Sequence, residues 1–294
     1  MAWIGFTLLA ALMQSIRTAG QKHIAGELGA LATSWARYGF GLPVALLYLV
    51  IIAWLYPTDD LHFSLRFWCY VVLASVAQLT ATVLLVKVLS MRNFATATIY
   101  IKTEALLAAI LAAVLFHSQF TVITWLAIAL GCLGIMLVSL QNSSIRYLVN
   151  AKSTLLGLSA GLCFAITSVY IRQASLLLAA PFLLTAALIF FISMLIQGVL
   201  CSVLLHHQNP QSWQQLKRHQ KPGWFIGITG ALGSIGWYTA FTLQDAAVVK
   251  TLGQVDFVIT VWITYSFFNE KIQRQEWTGI TLVILSILLL LGSH

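Results

Sequence analysis

Charge is what this sequence has least of: 8% of its 294 residues are charged, and only 8 are acidic. Soluble domains carry roughly 25% charged residues, so there is too little polar surface here to coat a globule in water. A water-soluble enzyme or binding module is excluded, and lipid must be the main solvent. Cysteine is scarce as well. Cys69, Cys132, Cys163 and Cys201 lie singly in apolar runs, with no two at ligand spacing. They read as small packing residues and carry no information about redox compartment. P-loop, GxSxG, HExxH and paired-cysteine motifs are all missing, so ATP-driven transport and hydrolytic chemistry lack their usual parts, and no cofactor or metal is expected. Before Trp3 there is no positive segment; Arg17 and Lys22 follow the first apolar stretch, which argues against a cleaved signal. The formal charge of +8 needs no nucleic-acid partner, because basic loop ends are the ordinary determinants of membrane orientation.

Long apolar runs are present in abundance. They cover Trp3–Ile16, Leu31–Leu55, Phe67–Val86, Ala105–Phe116, Val122–Leu140, Leu155–Ile171, Pro181–Leu205, Trp224–Leu243, Val255–Phe268 and Trp277–Gly292. Most approach the ~20 residues that cross a ~30 Å hydrocarbon core. Two short ones become long enough when Thr96–Glu104 and Val248–Gln254 are counted as helix. The expectation is an all-α integral membrane protein with ten transmembrane helices and no soluble domain between them.

An offset of 152 aligns the two halves without a gap. Gly5 falls on Gly157, Gln21 on Gln173, Ala95 on Ala247, Glu104 on Asp256, Phe116 on Phe268 and Trp125 on Trp277. Residues 1–140 thus form one five-helix unit, 141–153 a polar linker and 154–294 the second unit. Five spans is an odd number, so the second unit must enter the bilayer from the opposite side. Two inverted five-helix repeats, related by an axis in the membrane plane, are the architecture of many secondary transporters, with the solute site where the repeats meet. Receptors and membrane enzymes have no general need for such symmetry.

Phe267-Phe268-Asn269-Glu270-Lys271-Ile272-Gln273, followed by Trp277 and a long apolar helix, resembles the closing motif of EamA domains in the drug/metabolite transporter superfamily. Arg37, early in the second span, is similar to an arginine often found there. The resemblance covers essentially the whole chain. Departures are His117-Ser118, where the family usually has Gly-Glu, and Ala105 and Phe257, where proline is common in the fourth and ninth helices. The resemblance implies a multi-pass secondary transporter of the cell (inner or plasma) membrane, not an enzyme, working by alternating access as a monomer or a dimer. Its expected partners are membrane lipids, protons as a coupling ion, and an amino acid or other small organic metabolite as exported cargo. A multidrug exporter and a facilitated uniporter are the alternatives. An intramembrane lipid-handling enzyme would need a nucleophile beside a base, and His117-Ser118, the only adjacent candidate, replaces a non-catalytic family position.

Ionisable residues inside spans cost several kcal/mol unless paired or wet. Glu104 and Asp256 each lie about eight residues, or roughly 12 Å, into an expected helix, one approaching from each face. They read either as structural ion pairs within each half or as solute-binding or protonatable carboxylates. Tyr100 shares a helix face with Glu104, whereas Gln254, two residues before Asp256, points elsewhere. Arg17, Arg37 and Lys102 cluster on the Glu104 side. Each is near enough to a helix end to snorkel; together they would make an electropositive vestibule that draws in an anionic group. Asp256 has only Lys250 within its own helix, six residues away and off its face. The two environments should therefore separate the carboxyl groups, with Glu104 ionised and Asp256 exchanging a proton.

Glycines 227, 230, 233 and 236 suit close helix packing and leave room beside Trp237 and Tyr238, whose rings suit stacking against a solute. The loop His206–Gly223 reads as a basic, headgroup-facing segment rather than a metal site at His206 and His207. An external N-terminus gives cytoplasmic loops nine basic residues against two for the reverse, although the resembling family usually keeps both termini in the cytoplasm.

Overall fold

The computed structural model describes residues 1–56, 61–90, 101–141, 151–259 and 274–292. Among these the chain is helix and turn, with no strand. The helices are α1 (Ala2–Gly39), α2 (Leu42–Leu55), α3 (Leu65–Leu89), α4 (Glu104–Phe116), α5 (Val122–Gln141) and α6 (Ala151–Ser175). There follow α7 (Phe182–Gln208), the short α8 (Ser212–Arg218), α9 (Gln220–Leu243), α10 (Ala246–Gly253) and α11 (Arg274–Gly292). Tyr100, Phe268 and the motif at 267–273 lie outside the described residues.

The expected spans are realised with differences that have local causes. α1 runs through the first two runs, broken at Gly29, whose φ of 75° leaves helical geometry; glycine enters that region without a Cβ clash. The second run is divided again between Gly39 and Leu42, where Pro43 sits in the first turn of α2 and has no N–H to continue a helix from before it. α3 starts where Ser64 Oγ accepts the Phe67 N–H at 3.1 Å, satisfying one of the donors that a helix start leaves open. At the end of α9 the Arg172 guanidinium donates to the Phe241 and Thr242 carbonyls, at 3.2 and 2.7 Å. That cation satisfies open carbonyls and complements the negative end of the helix, setting the turn into α10.

Glu104 and Asp256 do not lie deep inside continuous helices. Glu104 is the first residue of α4, after a turn at Thr103, and Asp256 follows a turn at Gln254 that ends α10. The turn at Gln254 is tightened: its N–H reaches the Thr251 carbonyl at 3.2 Å, and the Phe257 N–H reaches the Gln254 carbonyl at 3.0 Å. Short three-residue hydrogen bonds of this kind interrupt a helix and free backbone near a site.

Polarity is inside out. Leu46, Leu47, Val50, Ile51 and Leu55 are exposed, while Arg17, Gln21, Arg37, Gln78, Glu104, Gln197, Lys250, Gln254 and Asp256 are buried. Water would not tolerate such a surface; lipid requires it. Trp54, Trp68, Trp224 and Trp277 are exposed near helix ends, as expected of an interfacial aromatic belt. Four helical segments of the described residues are long and apolar enough to cross a membrane: 2–55 taken together, Leu65–Leu89, Thr154–Ser175 and Phe182–Gln208. α4, α5 and α11 are apolar over shorter described lengths.

Helix pairing follows the sequence offset. α1 packs extensively on α9, and α3 on α6; shifting by 152 carries α1 onto α6 and α3 onto α9, so the two contacts exchange. α5 packs on α11, α2 on α7 and α4 on α10. The glycine stripe of α9 lies on α1. A Cβ at Gly236 would stand 2.6 Å from the Phe6 carbonyl, at Gly233 3.2 Å from Met13 Cβ, and at Gly227 2.6 Å from Phe40 Cβ. Those glycines let two backbones approach more closely than any other residue would allow.

Candidate solute site between the halves

The interruptions beside Glu104 and Asp256 face each other across the joint between the two units, because α4 packs on α10. Lys250 of α10 reaches Glu104 Oε2 at 3.2 Å, and Lys102 pairs with Asp256 Oδ2. Both ion pairs thus cross from one half to the other. This corrects two expectations. Glu104 takes its cation from Lys250 rather than from Arg17, Arg37 or Lys102. Asp256 is not without a cation, since Lys102 of the other half supplies one. The turn at Gln254 separates Lys250 from Asp256, and each finds its partner across the joint.

Two adjoining cavities share Gln14, Trp237 and Lys250 as walls. The first, tightly closed, is also lined by Lys102, Glu104 and Gln254. Gln14 bridges its wall: its Nε2 donates to Asp256 Oδ2 at 3.1 Å, and its Oε1 accepts from Trp237 Nε1 at 3.1 Å. Gln254, expected to point away, lines this cavity and reaches Cys132 Sγ at 3.8 Å. Lys250 Nζ sits 4.4 Å from the centre of the Trp237 ring, a cation–π contact between buried groups.

The second cavity, which in this state encloses less space than a solute needs, holds Arg17 and Arg37 in its lining. Each arginine is 2% exposed, so neither snorkels. Arg37 donates to Thr82 Oγ1 at 2.9 Å and Ser234 Oγ at 3.2 Å. Arg17 Nε is enclosed without a hydrogen-bond partner. Among the described residues no carboxylate is in ion-pair contact with either guanidinium, because Glu104 and Asp256 are held by the lysines. Four cations face two carboxylates, a surplus of two positive charges in a buried space.

Trp237 and Phe241 stack at 5.7 Å with planes 16° apart and form one wall. Tyr238 also lines the second cavity, with its hydroxyl donating to Gln78 Oε1 at 2.8 Å, which also accepts from Gln197 Nε2 at 2.7 Å. Gln14, Gln78, Gln197, Thr82 and Ser234 were not among the residues expected from sequence. The glutamines carried a usable signal, since each interrupts an apolar run with a group that needs partners; the small hydroxyls carried none, because serine and threonine bond their own helix carbonyls freely.

The chain belongs to the EamA-like transporter family, whose model matches residues 1–140 and again 151–292. It is therefore a membrane transporter of the drug/metabolite superfamily type, a family of transporters and not of enzymes. A solved structure titled only as the crystal structure of a protein is similar over 98% of this chain and 95% of its own, with a TM-score of 0.75 and 12% identity. At that identity the likeness is one of fold alone. No curated protein matches the chain.

Proposed function

We propose that this protein is a ten-helix secondary transporter of small organic solutes, built as two inverted five-helix repeats in the cell membrane and working by alternating access. The exchange of the α1–α9 and α3–α6 contacts under the 152-residue offset supports a two-fold relation between the repeats, and an odd number of spans in each makes that relation an inverted one. The observation that carries the functional reading is the buried, charge-bearing space where the two halves meet, closed by ion pairs that each take one residue from either half. A site at the repeat joint, beside interrupted helices, is where such transporters hold their cargo. Rocking one half against the other would open it to each face in turn.

The lining does not suit a broad multidrug exporter, which would favour an aromatic and weakly charged cavity. An amino acid or related metabolite, moved outward, fits better: its carboxylate suits the arginines and its body the Trp237–Phe241 wall. The experiment is uptake and counterflow in proteoliposomes over a panel of amino acids, organic acids and cationic drugs, with and without a pH gradient. Saturable, protein-dependent flux of one solute group supports the reading. Flux that ignores the gradient makes the protein a facilitated uniporter, and turnover of a lipid without any flux overturns transport altogether.

A further inference from the structure

The transporter reading leaves the chemistry of the cargo open, and the second cavity narrows it. Resting on that reading, we infer that the cargo is an amphipathic organic anion: an oxyanion group, carboxylate or phosphate, sits between Arg17 and Arg37, and its apolar body lies against Trp237 and Phe241.

The two arginines converge. Their side-chain stems flank one point over Gly230, where a Cβ would stand 3.1 Å from Arg37 Cγ and 3.3 Å from Arg17 Cδ. Glycine at that place gives both guanidinium stems room to lie side by side. Two like charges held together in a low dielectric repel strongly, and in proteins such groups are paired or hydrogen-bonded. Among the described residues only neutral hydroxyls serve Arg37, and Arg17 Nε has no partner. The hydroxyl on Thr82 is itself engaged, since it also accepts from the Tyr38 hydroxyl at 2.9 Å and donates to the Gln78 carbonyl at 2.8 Å. The donors left over match an oxyanion, which accepts charge-assisted, often bidentate, hydrogen bonds from guanidinium. A cation would meet a surplus of two positive charges, and a neutral solute would leave that surplus uncompensated.

The rest of the lining sets aromatic rings, Trp237, Phe241 and Phe164, among polar groups, Gln14, Gln78 and Lys250. Trp237, Phe241 and Phe164 gather around Lys250 Nζ, at 4.4, 5.8 and 5.7 Å from their ring centres, so a planar or branched group of the cargo would lie against these rings beside that cation, a contact that a small hydrophilic anion would not make. The order of events follows from the ion pairs. Glu104 and Asp256 are already neutralised by Lys250 and Lys102, so the anion need not displace a carboxylate to enter.

Purified protein in lipid nanodiscs would be tested by thermal unfolding and calorimetry with four probes: phenylpyruvate, phenyl phosphate, neutral phenylacetamide and inorganic phosphate. We expect at least one aromatic anion to bind and raise the unfolding temperature, with phenylacetamide and inorganic phosphate at least tenfold weaker. Which of the two aromatic anions is preferred assigns the headgroup. Arg17→Gln should weaken that binding at least tenfold, and Arg17→Lys should recover part of it. The comparison of charged with neutral probes needs no variant, so misfolding of Arg17→Gln would not obscure it. Equal binding of phenylacetamide, inorganic phosphate binding as tightly as the aromatic anions, or no binding by either aromatic anion would overturn the inference. Liposomes that carry only neutral solutes, with Arg17→Gln unimpaired, would do so while leaving transport itself intact.

Discussion

Lys250 Nζ stands 3.2 Å from Glu104 Oε2, a contact between residues 146 positions apart that joins the second half of the chain to the first. Both side chains are almost wholly enclosed. Breaking a buried pair by removing one partner typically costs ~3–5 kcal/mol, while replacing both by apolar groups is often neutral. Glu104→Gln should therefore lower the unfolding temperature in detergent more than the double variant Glu104→Gln/Lys250→Met. The exchanged pair Glu104→Lys/Lys250→Glu should recover stability lost by either charge reversal alone. Double variants no better than the worse single one would remove the pair from the account.

The α9 stripe should rank by what each added carbon meets. At Gly236 a methyl would press on the Phe6 carbonyl at 2.6 Å, a backbone atom, whereas at Gly233 it meets Met13 Cβ at 3.2 Å. Overpacking costs about 1–3 kcal/mol, so Gly236→Ala should destabilise more than Gly233→Ala. Gly233→Leu should insert normally, as seen by membrane yield, and abolish flux in liposomes because α1 and α9 cannot close up. Full transport by Gly233→Leu would show that this contact does not move.

Outside the membrane, His219 bonds the Gln215 carbonyl at 3.0 Å and the Glu27 carboxylate at 2.7 Å. The carbonyl first and the carboxylate second favour the imidazolium and raise its pKa from the ordinary histidine value, against smaller opposing effects of desolvation and then Arg218. A group whose folded pKa is raised stabilises fully below its unfolded value of about 6.5, and the contribution fades as pH rises through the folded value. His219→Ala should therefore lower the unfolding temperature slightly at pH 5.5 and leave it unchanged at pH 8.5. The effect is small because the pair is well exposed. An equal loss at both pH values would assign the histidine a packing role instead.

The unit plan was legible in the sequence because lipid imposes long apolar runs and duplication leaves an offset that any chain position can register. Which residues matter was partly legible too: a charge or an amide inside an apolar run declares itself by its cost. Partnership was not. Spacing along one helix set Lys250 off the face of Asp256, but the turn at Gln254 separates the two, and spacing gave no view of the residues that the fold brings across the joint. The helix interruptions at Thr103 and Gln254 were equally hidden, since neither contains the proline or glycine pair that marks a break, and the Gly253 just before the second reads as ordinary helix packing. Arg17 and Arg37 looked able to snorkel because only distance from a helix end was visible; their enclosure depends on α9 lying over them.

Proton coupling at Asp256 now has to be argued through its partner. The sequence suggested a carboxyl with no cation; in the structure Lys102 pairs with it and Gln14 donates to the same oxygen. Both hold Oδ2, so on the proton-coupled reading Lys102 has to move away before a proton can take its place there. Asp256→Asn alone should therefore impair counterflow as well as gradient-driven flux, because it leaves a buried lysine uncompensated. The double variant Asp256→Asn/Lys102→Gln removes that charge, and should restore solute exchange to within a few-fold of wild type while gradient-driven flux stays absent. Glu104→Gln/Lys250→Met, which spares Asp256, should keep both modes. The measurement is counterflow and pH-gradient-driven flux on the three variants in matched liposomes. Gradient-driven flux in the Asp256→Asn/Lys102→Gln protein would show that no coupling proton passes through this residue, and its loss in the Glu104 double variant would move the coupling site to the other half.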